Sequence, residues 1–164
     1  AKEQLVKLRK QMDADCKIVS IAWDGLIPAL NGKKIDMIFN SMSITDERKK
    51  VIDFSDKYYN TPTVVVGAKG VEMDATPEGL AGKIIGVQVS TVHQAYAEKY
   101  FAGSAAEIKT YQTQDEANQD LIAGRIDATQ ADSIALDAFL AVGGFDDLSA
   151  LDREGRLDAL LQGA

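Results

Sequence analysis

One cysteine and one histidine, Cys16 and His93, are all that 164 residues contain of either type, and this scarcity removes several chemistries at once. A single thiol closes no intramolecular disulfide, and one Cys with one His cannot supply the multiple nitrogen and sulfur ligands of structural zinc. Three prolines and 13 glycines are too few for collagen-like or low-complexity architecture. No stretch approaches the roughly 20 apolar residues of a membrane-spanning helix, since the best runs, 35–39 and 64–66, are strand-sized. Positive charge is also short. Eighteen basic against 25 acidic residues leave a net charge of −7 and a field that repels phosphate backbones and anionic lipid, so nucleic acid is not an expected partner. No Gly-rich phosphate loop, paired-histidine spacing or nucleophile elbow occurs, which leaves hydrolase and kinase readings without residues. No catalytic residue, metal site or cofactor is expected, and no signal-peptide pattern is visible.

What is present is a globular composition, 46% hydrophobic and 26% charged, on enough chain for one domain or two small lobes. Leu5, Leu8 and Met12 recur at helical spacing within 4–12, with Lys7, Arg9 and Lys10 facing away. Residues 16–22 read as a strand, 24–30 as a short helix stopped by Gly32, and 35–40 as a second buried strand. Thr45 caps a short helix that carries Asp46 and Glu47 in its first turn, and 51–54 extends the chain again. The β-rich run 60–68 reads as a crossing between lobes. Beyond it, Thr76-Pro77-Glu78 reads as a capped helix start, 83–89 as a strand, and Ser90-Thr91 as the start of a helix reaching Phe101. A strand at 108–111 precedes a capping box at Thr113–Glu116, whose helix stops at Gly124. A strand at 125–129 and a helix from Ser133 to Val142 headed by Asp132 follow, and 149–162 forms a last amphipathic segment. Strands alternating with helices predict an α/β fold with parallel, doubly wound sheets.

Such sheets bind ligands at the carboxyl ends of their strands. Two expected strand ends carry anion-seeking groups. Residues 40–48 bring Ser41, Ser43, Thr45 and Arg48 after one strand, and Ser90-Thr91 opens a helix after another, where backbone amides favour an anion. Arg48 with Thr91 would suit one carboxylate; the competing reading is caps and a surface arginine. Asp132, at a strand end, is a helix cap or a counter-charge for a ligand ammonium. Trp23 stacks on a ligand or fills core. His93 reads as a solvated helix residue rather than a general base, since no nucleophile stands beside it.

The ordered set Trp23-Asp24-Gly25-Leu26-Ile27-Pro28-Ala29-Leu30, Lys33-Lys34-Ile35-Asp36, Ser41-Met42-Ser43-Ile44-Thr45 through Arg48, Phe54-Ser55-Asp56 with Tyr59, Gly86 to Thr91 and Gly124 to Ala128 resembles the periplasmic amino-acid-binding proteins of ABC uptake systems. The branch it is most similar to is that of the lysine/arginine/ornithine, histidine and opine receptors. The resemblance covers about residues 5 to 142 and implies a periplasmic-binding-protein type II-like fold, two doubly wound lobes that close on an amino acid held between them. It implies a receptor rather than an enzyme, periplasmic or extracellular, that delivers a polar or basic amino acid, or an opine, to a membrane permease. It also implies roles: Arg48, Ser41 and Ser43 on the ligand head group, Ser90 and Thr91 completing the carboxylate site, Asp132 on the α-ammonium, and Trp23 against the ligand side chain. The lobes are expected at 1–60 and 69–142, the crossover at 61–68, and a segment without clear placement at 143–164.

Departures from the family pattern set further expectations. The family's opening strand and following turn precede anything in this sequence, so the first lobe is expected to be incomplete, with self-association, strand exchange or partial order making up the deficit. Cys16 aligns with one half of a disulfide found in some relatives, but Arg9 stands at the other half, so Cys16 is expected as a free buried thiol. Val89 replaces a glycine beside the carboxylate site, where a side chain would hinder backbone approach. The alternatives are a periplasmic dehydratase on the same fold, which needs a pocket acid poised for proton transfer, and a non-binding oligomeric remnant.

Overall fold

The computed structural model describes residues 2–58, 60–68, 71, 73–142 and 148–150. The chain divides into two compact units, Ala1–Lys57 and Tyr58–Ala164.

The second unit is built on a five-stranded sheet. Strands β1 (Thr63–Ala68), β2 (Ile84–Gln88), β3 (Glu107–Tyr111), β4 (Ala128–Asp132) and β5 (Leu148–Ala150) lie in the order β3-β2-β4-β1-β5. β2 pairs parallel with both β3 and β4, whereas β1 runs antiparallel to its two neighbours, β4 and β5. The sheet is therefore mixed rather than wholly parallel: β1 enters against the direction of the strands linked by helical crossovers.

Helices α4 (Val92–Tyr100), α5 (Gln114–Ile122) and α6 (Ser133–Val142) make those crossovers. Alternation along the strands divides the core in two. On one face Val65, Ile85, Val87 and Ala128 pack with Tyr96, Ala97 and Phe101 around α4. On the other, Val64, Val66 and Ala131 pack with Leu121, Ile126 and Leu136 from the α5 and α6 side. Gly86 allows the second face to close, since a Cβ there would lie 2.5 Å from Ile126 Cδ1. The edge strand β3 carries Glu107 and Lys109, charges that discourage edge-to-edge pairing.

Local signals account for the helix ends. Thr91 Oγ1 accepts from Gln94 N at 3.2 Å, Thr113 and Glu116 close a reciprocal capping box, and Gly124 ends α5 at φ +67°. Three expectations shift. Thr76 does cap, its Oγ1 accepting from Gly79 N at 3.0 Å, but only a turn follows instead of a helix. The strand expected at 125–129 is formed by Ala128–Asp132, because Arg125 N reaches back to Asp120 O and 125–127 serve as the return from α5. Residues 149–150 are strand, paired with Val66 and Gly67 of β1; the rest of the amphipathic segment at 151–162 lies outside the described residues.

A carboxylate ties the β3 edge to α5. Asp120 Oδ2 accepts from Tyr111 OH at 2.6 Å and Lys109 Nζ at 2.9 Å, and its Oδ1 accepts from Arg125 Nε at 2.7 Å. The Tyr111 hydroxyl and then the two cations hold the Asp120 carboxyl well below the usual carboxylate range. Burial, reinforced by Asp120, pushes the Tyr111 phenol up.

The first unit contains α1 (Lys2–Met12), a 3-10 turn at Trp23–Gly25, α2 (Leu26–Asn31) and α3 (Asp46–Lys49). The strands expected at 16–22 and 35–40 are absent: those residues run as irregular chain with no ladder partner among the described residues. Extended propensity is not enough, because a strand exists only where its backbone groups find a neighbour. Cys16 is free, as expected, but half-buried rather than buried, and Arg9 pairs with Asp15. Ala29 is the one buried side chain among the described residues of this unit.

Candidate functional site

Each unit assembles part of the predicted set. In the first, Thr45 starts α3 by accepting from Arg48 N at 3.2 Å. That cap orients the helix so that Arg48 Nη1 donates to the Ser43 carbonyl at 2.8 Å, and the guanidinium carbon stands 5.7 Å from the Trp23 ring centroid. Trp23, Ser43 and Arg48 thus come together, with the indole serving the arginine as a cation–π surface. Ser41 is exposed two residues earlier, beyond the Asn40 side chain that accepts from Met42 N at 3.0 Å. Burial lowers the Arg48 pKa, the mark of a guanidinium that has lost part of its hydration.

In the second unit the predicted residues cluster where β2 and β4 end. Ser90 adopts φ +60°, a left-handed turn between β2 and α4 that any residue with a Cβ adopts under strain. The positive φ falls on Ser90, while Val89 instead continues the sheet by donating from its N–H to Tyr111 O at 2.9 Å. Thr91 Oγ1 donates to Gln88 O at 2.7 Å while capping α4. Ser90 N donates to Gln94 Oε1 at 2.7 Å, and Gln94 Nε2 donates in turn to Glu98 at 2.8 Å.

Asp132 closes β4 directly opposite Thr63 of β1. Its Oδ1 accepts from Thr61 Oγ1 at 3.0 Å and faces His93 Nε2 at 3.6 Å. The side chain remains 28% exposed. Both contacts fall on Oδ1; among the described residues none falls on Oδ2. Such a carboxylate is held through one oxygen and, as a partly exposed group at a strand end, can still meet a cationic group arriving from solvent.

The reading of His93 as a solvated residue is overturned. It is 6% exposed, and its Nδ1 lies 3.4 Å from Thr63 Oγ1. The signal was present in the sequence: His93, Tyr96, Ala97 and Phe101 recur at i, i+3, i+4 and i+8, the inward stripe of α4. Thr61 and Thr63 carried no comparable signal, since their roles depend on the register of β1 against β4. Among the described residues no group of three or more His, Cys, Asp or Glu side chains could hold a metal, and no helix is long and apolar enough to cross a membrane.

Comparison with known proteins gives this geometry its context. Residues 3–132 match the model of the bacterial extracellular solute-binding proteins, family 3. The L-arginine-binding protein of Pseudomonas aeruginosa is 46% identical over 134 residues, 81% of this chain and 52% of that protein. The lysine/arginine/ornithine-binding periplasmic protein of Escherichia coli K12 is 40% identical over 126 residues, 77% of this chain and 48% of that protein. Among solved structures, an ancestral arginine-binding protein bound to arginine superposes with a TM-score of 0.85 at 29% identity, over 97% of this chain and 76% of that one. The chain spans about half the length of the curated relatives it matches. Those relatives are named for binding, and the dehydratase alternative gains nothing from them. The fold is α/β, like that of type II periplasmic binding proteins, and the chain belongs to the bacterial extracellular solute-binding proteins, family 3.

Proposed function

We propose that this chain carries the head-group recognition of an amino-acid receptor for ABC-transporter uptake, with a polar or basic amino acid as ligand and no catalytic role. A zwitterion leaving water needs its two charges met separately. In this reading Arg48, with Ser41 and Ser43, and the α4 start at Ser90 and Thr91 receive the carboxylate. Asp132 receives the ammonium, and Trp23 both supports Arg48 and faces the ligand side chain. The observation that carries the reading is the Asp132 carboxylate, anchored through Oδ1 and partly exposed at a strand end. The receptor would work in the periplasm and pass its cargo to a membrane permease, as its family membership supports.

A thermal-shift screen over the twenty amino acids, ornithine, citrulline and octopine tests this. A ligand at 100 times its Kd stabilises by about 2.7 kcal/mol, roughly 5–10 °C for a chain of this size. The expected result is a shift with arginine, lysine, ornithine, histidine or octopine that Arg48→Ala and Asp132→Asn each abolish. A shift that survives both substitutions, or none from any compound on a folded sample, removes the reading.

A further inference from the structure

We propose that His93 is a positioning residue for the ammonium site, holding the Asp132 carboxylate by its Nε2–H so that Oδ2 stays turned toward the ligand. The inference rests on the proposed amino-acid site and adds a residue to it.

The buried imidazole stands between a hydroxyl and a carboxylate: Thr63 Oγ1 is 3.4 Å from Nδ1, and Asp132 Oδ1 is 3.6 Å from Nε2. These two neighbours decide the tautomer. Were Nδ1 the protonated nitrogen of a neutral ring, the lone pair of Nε2 would face a carboxylate oxygen, a repulsive contact for a buried imidazole. With Thr63 donating to Nδ1, the N–H lies on Nε2 and points at Oδ1. At 3.6 Å this is a charge–dipole contact rather than a closed hydrogen bond, and it tightens when a cation on Oδ2 draws the carboxylate into place.

The strand register makes the arrangement stiff. Thr63 and Asp132 are cross-strand partners in β1 and β4, and His93 is fixed by the inward stripe of α4, so three elements meet at one carboxylate. Thr61 adds a fourth point, donating to the same Oδ1 at 3.0 Å. Two donors on one oxygen leave the other oxygen's lone pairs for the ligand. A neutral imidazole suits the task better than a lysine or arginine would, because a fixed positive charge there would neutralise Asp132 and compete with the ammonium.

The test separates position from bulk. His93→Gln places an amide N–H near the ε position, His93→Asn places it near the δ position, and His93→Leu has neither. With L-arginine as probe, by calorimetry, His93→Asn and His93→Leu are expected to raise Kd about tenfold and His93→Gln to stay within about threefold of the parent. In an Asp132→Asn background the three substitutions should become indistinguishable, and none should alter binding of 5-guanidinopentanoate, which lacks the ammonium. Imidazole nitrogen shifts of the ligand-free chain should report the Nε2–H tautomer. Equal losses in His93→Gln and His93→Asn, a loss that persists without Asp132, or an Nδ1–H tautomer overturns the inference while leaving the amino-acid site standing. Absence of binding by the folded parent chain to every compound of the thermal-shift screen overturns the underlying reading and this inference with it. Should His93→Leu fail to fold, the Gln and Asn pair still decides.

Discussion

Two runs of this chain are rich in β-branched residues, 16–22 in the first unit and 63–68 in the second, and only one of them is a strand. Val64, Val65 and Val66 are buried because β4 and β5 flank them and helices cover both faces of their sheet. Ile18 and Val19, of the same chemical kind, are 69% and 50% exposed in irregular chain. The difference lies in the partners each run finds. A ladder satisfies the backbone N–H and C=O groups that an isolated extended segment must leave to water, and only after that can its side chains be buried. The second unit contains its own partners and closes a core; the first, among its described residues, buries Ala29 alone.

Removal of apolar bulk should affect the two units very differently. Phe101 is 1% exposed at the end of α4, and Phe101→Ala is expected to cost about 3–5 kcal/mol in urea unfolding. Ile18→Ala should stay within about 0.5 kcal/mol, as exposed positions do. Equal costs at the two sites would mean that 16–22 is covered in solution and that the contrast fails. A smaller effect, of opposite sign, is expected at Gln130. Gln130 is fully buried in β4 with neither side-chain polar atom bonded. Gln130→Met, similar in length, should stabilise the second unit by about 1–2 kcal/mol, read as a rise in Tm; a loss would show that a trapped water already completes the amide.

The Asp120 cluster offers a contrast in pH. Its folded-state carboxyl titrates below the value of about 4 that it has in the unfolded chain. The stabilisation is therefore complete above about pH 4 and declines as pH falls further toward the folded value. Acid unfolding of the second unit, followed by the Tyr111 environment, should lose this component in Asp120→Asn. An unchanged acid limb would mean that the three donors are spent on water instead. A small effect is expected at Ser90, where replacing a left-handed serine by glycine should change stability by less than about 1 kcal/mol, in the stabilising direction. A clear destabilisation there would locate needed contacts in the serine side chain.

Much of the second unit was legible because its signals are local. Thr113 with Glu116, Thr91 and Gly124 mark helix ends through bonds or dihedrals that reach no more than four residues. The antiparallel course of β1 was not legible, since it depends on which strands flank it, and the fate of 16–22 and 35–40 depended on partners that propensity cannot name. In the candidate site, Arg48 and Asp132 could be singled out as charges at expected strand ends. The contacts of Thr61 and His93 with Asp132, and of Thr63 with His93, join residues some 30 to 71 positions apart, and only the α4 stripe gave His93 away.

The Gln94 side chain bears on the heat that binding would release. Its carbonyl already occupies the Ser90 amide, which in the proposed site is one of the donors to the ligand carboxylate. A carboxylate arriving there exchanges one acceptor for another, and the enthalpy it gains is the difference between an ionic and an amide acceptor rather than a whole hydrogen bond. The displaced glutamine recovers rotamer freedom in solvent. Binding at this corner should consequently look more entropic in a calorimeter than its hydrogen-bond count implies, and substituting Gln94 should shift that signature toward enthalpy.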